Sequence, residues 1–296
     1  MTSAGGGREA EAGALRASEF ARELRVARRL ARAAGAEALR FYGGPLRVVH
    51  KSENEDPVTE ADHAANDLIL GGLEREFPDD GILSEETADT VRRLGKRRVW
   101  IIDPLDGTNG FIAGNGDFAV QIGLAVEGSA ALGVVYVPVT DALYWAAQGA
   151  GAWVERAEES GAERLRVSAE SAPARMRLAA SRSHRSPRMD AVFRAFGFRE
   201  EIRRGSVGVK VGLIVEQQCD IYMHLSPRTK QWDTCAPEAI LREAGGRLTD
   251  LWGEPYRYNA EEVRNRNGLL ATNGAAHATS VRTLAPLLAE FGRARV

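Results

Sequence analysis

Residues Trp100 to Phe111 read WIIDPLDGTNGF. With Val99 before them, Trp100, Ile101 and Ile102 make a short apolar, largely β-branched run, the mark of a buried strand. The run then delivers Asp103, Asp106, Gly107 and Thr108 within six positions. Two carboxylates close together at the end of a buried strand cannot both stay ionised unless a cation neutralises them. A hard divalent ion held by oxygen does so, and Leu105 between them offers its backbone carbonyl to the same cluster. A lone DxxDG can equally be a helix-capping aspartate beside a turn aspartate, so the flanking sequence has to weigh in.

Just upstream, ILSEE (Ile82 to Glu86) also ends a short apolar strand in acid, and far downstream QWDTCAP sets Asp233 at a helix start behind a tryptophan. Taken singly, Glu85 with Glu86 reads as surface charge and Asp233 as an N-cap. Three acidic element ends in one chain call for a common explanation. Thr59 with Asp62 three residues on has capping-box spacing and opens a helix over about Glu60 to Phe77. Downstream, FAVQIGLAVE, ALGVVYVP and ALYWAAQ read as further strands. Upstream, the positions Phe20, Leu24, Ala27, Ala31, Ala34 and Ala38 predict one amphipathic helix from Leu15 to about Tyr42. Its arginines alternate with Glu19, Glu23 and Glu37, which makes that side a solvated face rather than a nucleic-acid footprint.

After a charged, small-residue stretch the pattern alternates between strands (RLAAS, DIYMH, GRLTD, LLATN) and helices (RMDAVFRAF, VGVKVGLIVEQ, CAPEAILREAG and one from about Ala276), the rhythm of a second α/β unit. The organisation read from this is a floppy tail over residues 1–13, an α+β half over 14–165 and an α/β half over 166–296.

The 296 residues are 44% hydrophobic and 27% charged, with 39 Lys plus Arg against 41 Asp plus Glu and a formal net charge of −2. That is an ordinary globular composition, large enough to bury a core without disulfides. Without a global positive field, neither nucleic acid nor an anionic membrane is expected as a partner, and an anionic ligand has to be held locally. Cys219 and Cys235 fit neither a disulfide framework, a CxxC pair nor a zinc site, and the amino end lacks the apolar core of a signal peptide. A cytoplasmic protein is the expectation.

The blocks DPVTEAD, ILSEE, WIIDPLDGT and WDTCAPEAIL, in this order and spacing, strongly resemble the lithium-sensitive, magnesium-dependent inositol monophosphatase superfamily of phosphomonoesterases, and the resemblance covers the chain from about residue 20 onward. It implies a five-layer αβαβα sandwich. It also implies that Glu85, Asp103, Asp106 and Asp233 hold two or three Mg²⁺ ions through carboxylates, with Leu105 contributing its carbonyl. Thr108 and Asp62 then look like the pair that orients the attacking water and takes its proton, and a carboxylate behind a threonine hydroxyl is what makes such a hydroxyl useful. Gly107 and Thr108 would present backbone N–H groups to the phosphate. Lys51 and Glu53 resemble the superfamily's flap.

The second half bears on the leaving group. ASRSH (Ala180 to His184), GSVGVK (Gly205 to Lys210) and SPRTKQWDTCAPEAIL look like the 3′(2′),5′-bisphosphate nucleotidases, which implies nucleotide contacts from Ser181, His184, Ser206 and Lys210, the last meeting a 5′-phosphate. Serine at 226 replaces the glutamate that inositol monophosphatases commonly carry seven before the aspartate at 233, which weakens an inositol substrate. The segment NGFIAGNGDFAVQIGL is nearer the bacterial sulfate-assimilation branch. The expected activity is hydrolysis of the 3′-phosphate of adenosine 3′,5′-bisphosphate to AMP. The alternatives are an inositol-1-phosphate or related sugar phosphatase and, more remotely, a non-catalytic nucleotide- or RNA-binding protein. A homodimer is allowed by the resemblance, although no interface stripe stands out.

Overall fold

Alanine, glutamate and arginine dominate the first forty residues, and they fold as two helices, α1 (Ala4–Ala17) and α2 (Ala21–Leu39), in the computed structural model, which describes residues 4–50, 57–157, 161–183 and 185–296. The single helix expected from Leu15 is broken at Ser18, whose Oγ accepts the Phe20 N–H at 3.1 Å and whose carbonyl accepts the Ala21 N–H at 3.2 Å. This local competition is what disfavours serine in helix interiors. The tail expected over residues 1–13 is corrected for its described part, since α1 begins at Ala4. Alanine, glutamate and arginine outweigh the three glycines at 5–7 in propensity, and Glu11 docks the helix by pairing with Arg28 at 3.2 Å and accepting the Ala162 N–H at 3.3 Å.

A two-stranded ribbon, β1 (Val48–His50) and β2 (Pro57–Thr59), leads into α3 (Glu60–Glu76). Thr59 caps α3, its Oγ1 accepting the Ala61 N–H at 3.2 Å while Asp62 reaches back to the Thr59 N–H at 2.7 Å. Next comes a sheet of seven neighbouring strands in chain order, β3 (Gly81–Ser84), β4 (Arg98–Asp106), β5 (Ala119–Val126), β6 (Ser129–Val137), β7 (Ala142–Ala147), β8 (Gly151–Glu155) and β9 (Glu163–Leu165). The first pair is parallel and the rest antiparallel, and a one-turn helix, α4 (Thr108–Ile112), lies between β4 and β5.

The remainder builds a five-stranded sheet from β10 (Arg177–Ser181), β11 (Glu200–Arg204), β12 (Ile221–His224), β13 (Arg247–Thr249) and β14 (Leu269–Thr272), in the order β11-β10-β12-β14-β13. Its helices are α5 (Met189–Phe196), α6 (Val207–Val215), α7 (Gln231–Glu243) and α8 (His277–Glu290).

The two sheets stack with helices outside and between them. Leu24, Leu30, Ile69 and Leu73 of α2 and α3 cover one face of the larger sheet against Trp100, Ile122 and Leu132. Val211, Ile214, Ile240 and Leu241 of α6 and α7 fill the space between the sheets. Val192, Phe196, Leu284 and Leu288 of α5 and α8 close the far face of the smaller one. The result is the αβαβα sandwich. Helix α7 lies unusually close to the larger sheet because Gly123 and Gly133 face each other in register on β5 and β6. A Cβ at Gly133 would stand 2.2 Å from the Ala236 carbonyl oxygen. Among the described residues no helix is long and apolar enough to cross a membrane.

Candidate active site

A regular strand turns successive side chains to opposite faces, so residues three apart should diverge. Asp103 and Asp106 do not, because β4 carries an extra residue there: Asp103 pairs with Gln121 and Asp106 with Ala119, three steps on one strand against two on the other. The bulge restores both carboxylates to one side. Pro104, which cannot donate to the ladder, is tolerated at such an irregularity. Gly107 follows at φ 100°, a left-handed turn suited to glycine, and delivers Thr108 to the start of α4.

Asp233 enters from the other half of the chain, inside the first turn of α7 rather than ahead of the helix, with Oδ2 accepting the Lys230 N–H at 2.5 Å. Single carboxylate oxygens of Asp103, Asp106 and Asp233 all lie within 4.8 Å of one another. Glu85, directly after β3, lines the same cleft, and its Oε1 is 3.7 Å from the Lys230 ammonium. Burial pushes the Asp103 and Asp233 carboxyls well above the ordinary range, and repulsion from Glu85 and Asp106 adds to it at both. Asp106 is raised by burial too, but Lys210 and donors at the start of α6 oppose the shift. Buried, mutually repelling carboxylates with too little positive charge nearby are a donor set that fits a hard divalent cation.

Asp62 stands behind this cluster. Its Oδ2 accepts from the Thr59 N–H and hydroxyl at 2.7 and 2.6 Å, leaving Oδ1 for the Thr108 hydroxyl at 3.2 Å. The same hydroxyl is 3.2 Å from the Leu105 carbonyl oxygen. Burial raises the Asp62 carboxyl, with the Thr59 and Thr108 hydrogen bonds opposing it. Its capping-box duty and its contact to Thr108 therefore use different oxygens.

The wall opposite is built on the start of α6. Asp106 Oδ2 accepts from Ser206 Oγ at 2.6 Å, Val207 N at 2.6 Å and Gly208 N at 3.2 Å, so the helix N-terminus grips the carboxylate. Ser206 caps α6 through Oγ, which accepts the Val209 N–H at 3.1 Å, and sits at φ 46°, a conformation its two hydrogen bonds hold in place. Lys210, assigned by the resemblance to a 5′-phosphate, lines the cleft but is 3% exposed, and burial pushes its ammonium down to about 8. Its Nζ donates to the Gly205 and Ser206 carbonyls at 2.9 and 2.5 Å. Ser181 closes β10 at the same cleft, which Leu105, Gly107 and Thr108 also line. His184, Lys51 and Glu53 lie outside the described residues.

Sequence reading missed several neighbours. Gln121, in the middle of an apolar strand, donates from Nε2 to Asp106 Oδ2 at 2.5 Å. Asp117 ties the β4–β5 connection to the segment before α6 by accepting the Gly205 N–H at 3.0 Å and pairing with Arg182 at 2.6 Å. Arg228 and Lys230 line the cleft from the loop before α7. A polar residue at an inward strand position is a usable signal for Gln121, whereas the other three look like ordinary loop charges.

The model of the inositol monophosphatase family matches residues 21–286. The chain is 38% identical over 236 residues to the 3′(2′),5′-bisphosphate nucleotidase CysQ of Escherichia coli K12, covering 79% of this chain and 92% of that protein. Among solved structures, the Thermotoga maritima IMPase superposes with a TM-score of 0.78 at 25% identity, over 91% of this chain and 99% of that one. CysQ from Bacteroides thetaiotaomicron gives 0.73 at 30% identity, over 86% and 98%.

Proposed function

The chain belongs to the inositol monophosphatase family, and on that premise we propose that it is a magnesium-dependent 3′(2′),5′-bisphosphate nucleotidase that hydrolyses the 3′-phosphate of adenosine 3′,5′-bisphosphate to AMP and phosphate. The observation that carries the substrate is the 38% identity to such a nucleotidase over 92% of its length. The acid nest beside a cationic wall supports the reaction type.

In this reading Glu85, Asp103, Asp106 and Asp233, with the Leu105 carbonyl, hold the divalent ions. When bound, Mg²⁺ supplies Lewis-acid polarisation of the phosphoryl oxygens and lowers the pKa of a coordinated water. The chain's own part in catalysis falls to two residues. Thr108 Oγ1 hands its proton toward Asp62 Oδ1 and leaves a lone pair turned to the cleft, which orients the attacking water and accepts its proton. Asp62, lifted by burial, is a stronger base than an exposed aspartate and takes that proton through the threonine. Gly107, Ser181 and Ser206 contribute polar groups around the phosphate and ribose, and His184 meets the nucleotide. Lys51 and Glu53 act as the flap over the ions.

The test is phosphate release with Mg²⁺ from a panel of adenosine 3′,5′-bisphosphate, inositol-1-phosphate, fructose bisphosphate and histidinol phosphate. The nucleotide is expected to give the highest kcat/KM. A preference for inositol-1-phosphate would overturn the substrate, and turnover indifferent to chelator would overturn the reaction.

A further inference from the structure

A nucleotide with a phosphate at each end of its ribose needs a cation away from the acid nest, and among the described residues three lysine or arginine side chains line this cleft: Lys210, Lys230 and Arg228. Two are already engaged. Lys210 is buried, donates to two backbone carbonyls and lies 4.8 Å over the Tyr222 ring. Lys230 is 3.7 Å from the Glu85 carboxylate and 4.9 Å over the Trp232 ring. Arg228, in the loop between β12 and α7, is exposed, and no described residue pairs with its guanidinium.

Resting on the nucleotidase reading, we propose that Arg228 is the residue that reads the substrate's second, 5′-phosphate, and so sets the preference for a bisphosphate over a monophosphate. Three physical points favour it. A planar guanidinium offers two parallel N–H donors that match two phosphate oxygens, which an ammonium cannot do. An exposed side chain with no partner surrenders no existing pair on binding. Arg228 also stands only five residues before Asp233, so the cation and an acid of the nest are carried by one short segment leading into α7.

The experiment compares kcat/KM for adenosine 3′,5′-bisphosphate with that for adenosine 3′-monophosphate, which lacks only the 5′-phosphate, in the wild type, Arg228→Ala, Arg228→Lys and Lys210→Met. In Arg228→Ala the ratio of the two values is expected to fall roughly 10- to 100-fold, the size of lost charge-assisted hydrogen bonds, with the change carried by KM for the bisphosphate. Arg228→Lys should recover part of it, restoring charge without the fork. A ratio preserved in Arg228→Ala, whether both activities fall together or neither does, overturns the proposal. So does a ratio that holds there and collapses in Lys210→Met, which would assign the phosphate to the lysine. A wild type that hydrolyses neither nucleotide but does hydrolyse inositol-1-phosphate overturns the nucleotidase reading itself and this inference with it.

Discussion

Charge and volume can be separated at Asp103. Asparagine keeps the shape and can still accept the Leu105 N–H, which the aspartate does at 3.1 Å. It removes one negative charge from a nest in which Glu85, Asp106 and Asp233 all press on that carboxyl. Asp103→Asn is therefore expected to melt no lower than wild type in chelator, since repulsion is relieved. With Mg²⁺, phosphate release should fall by more than the roughly 10- to 100-fold typical of losing a mere outer partner of a metal ligand. A melting point well below wild type, or turnover within tenfold of it, would contradict the assignment. Thr108 permits a parallel separation. Thr108→Val keeps the shape and loses the hydroxyl, so kcat should drop on the order of 10²- to 10⁴-fold, while Thr108→Ser, which restores the contact to Asp62, should stay within about tenfold. Both are read from kcat at saturating substrate. Asp103 was legible because an acid at the end of an apolar strand is anomalous, whereas the part given to Thr108 came only with the family resemblance. Lys210 was only half legible, because glycine-rich flanks hide whether a lysine faces solvent or its own helix start.

At the level of elements, Asp233 is placed by α7, and α7 by the flat patch that Gly123 and Gly133 leave on the larger sheet. A methyl group at Gly133 would meet backbone atoms of Ala236, and backbone cannot rotate aside. Gly133→Ala is thus expected to push α7 outward and cost about 1–3 kcal/mol. Asp233, one turn before Ala236, would move with the helix, so activity should fall more steeply than stability does. Thermal melts and Mg²⁺ titration of activity measure the two effects, and a variant with wild-type Mg²⁺ dependence would show that the seam does not hold the acid in place. Neither glycine announces this in the sequence, since a glycine in a strand reads as a weakness until its opposite number in register is known. The apolar strands β4 to β7 were legible because their composition matches only a buried sheet. The short strands β8 and β9 and the charged edge strand β11 were not, since GAWVE, ERL and EEIRR lack a run or alternation long enough to read. Edges carry charge for reasons of solubility, which masks them as loops.

Across the whole molecule, the larger sheet ends at Leu165 and the smaller begins at Arg177, yet α7 from the second half lies on the sheet of the first. Asp103 and Asp106 belong to one half and Asp233 to the other, so divalent ions would fasten the two together and stabilise the folded state alone. At one hundred times Kd a single ion would add about 2.7 kcal/mol, a few degrees of Tm at this size. The pH dependence follows from the signs. In the metal-free chain the nest carboxyls are raised, so their contribution to stability is greatest below the ordinary carboxylate range and is lost as pH rises through the raised values. His277 works oppositely. Burial holds it down to about 4 against an ordinary 6.5, so its contribution is present above about 6.5 and is lost as pH falls toward 4. His277 acts with or without ions and cancels in the difference between the two melts, whereas ions must displace protons from the nest. The gap in Tm between Mg²⁺ and chelator is therefore expected to widen steadily from about pH 5.5 to about pH 8. A gap that stays flat or narrows over that range would mean that the buried carboxylates are not where the ions bind.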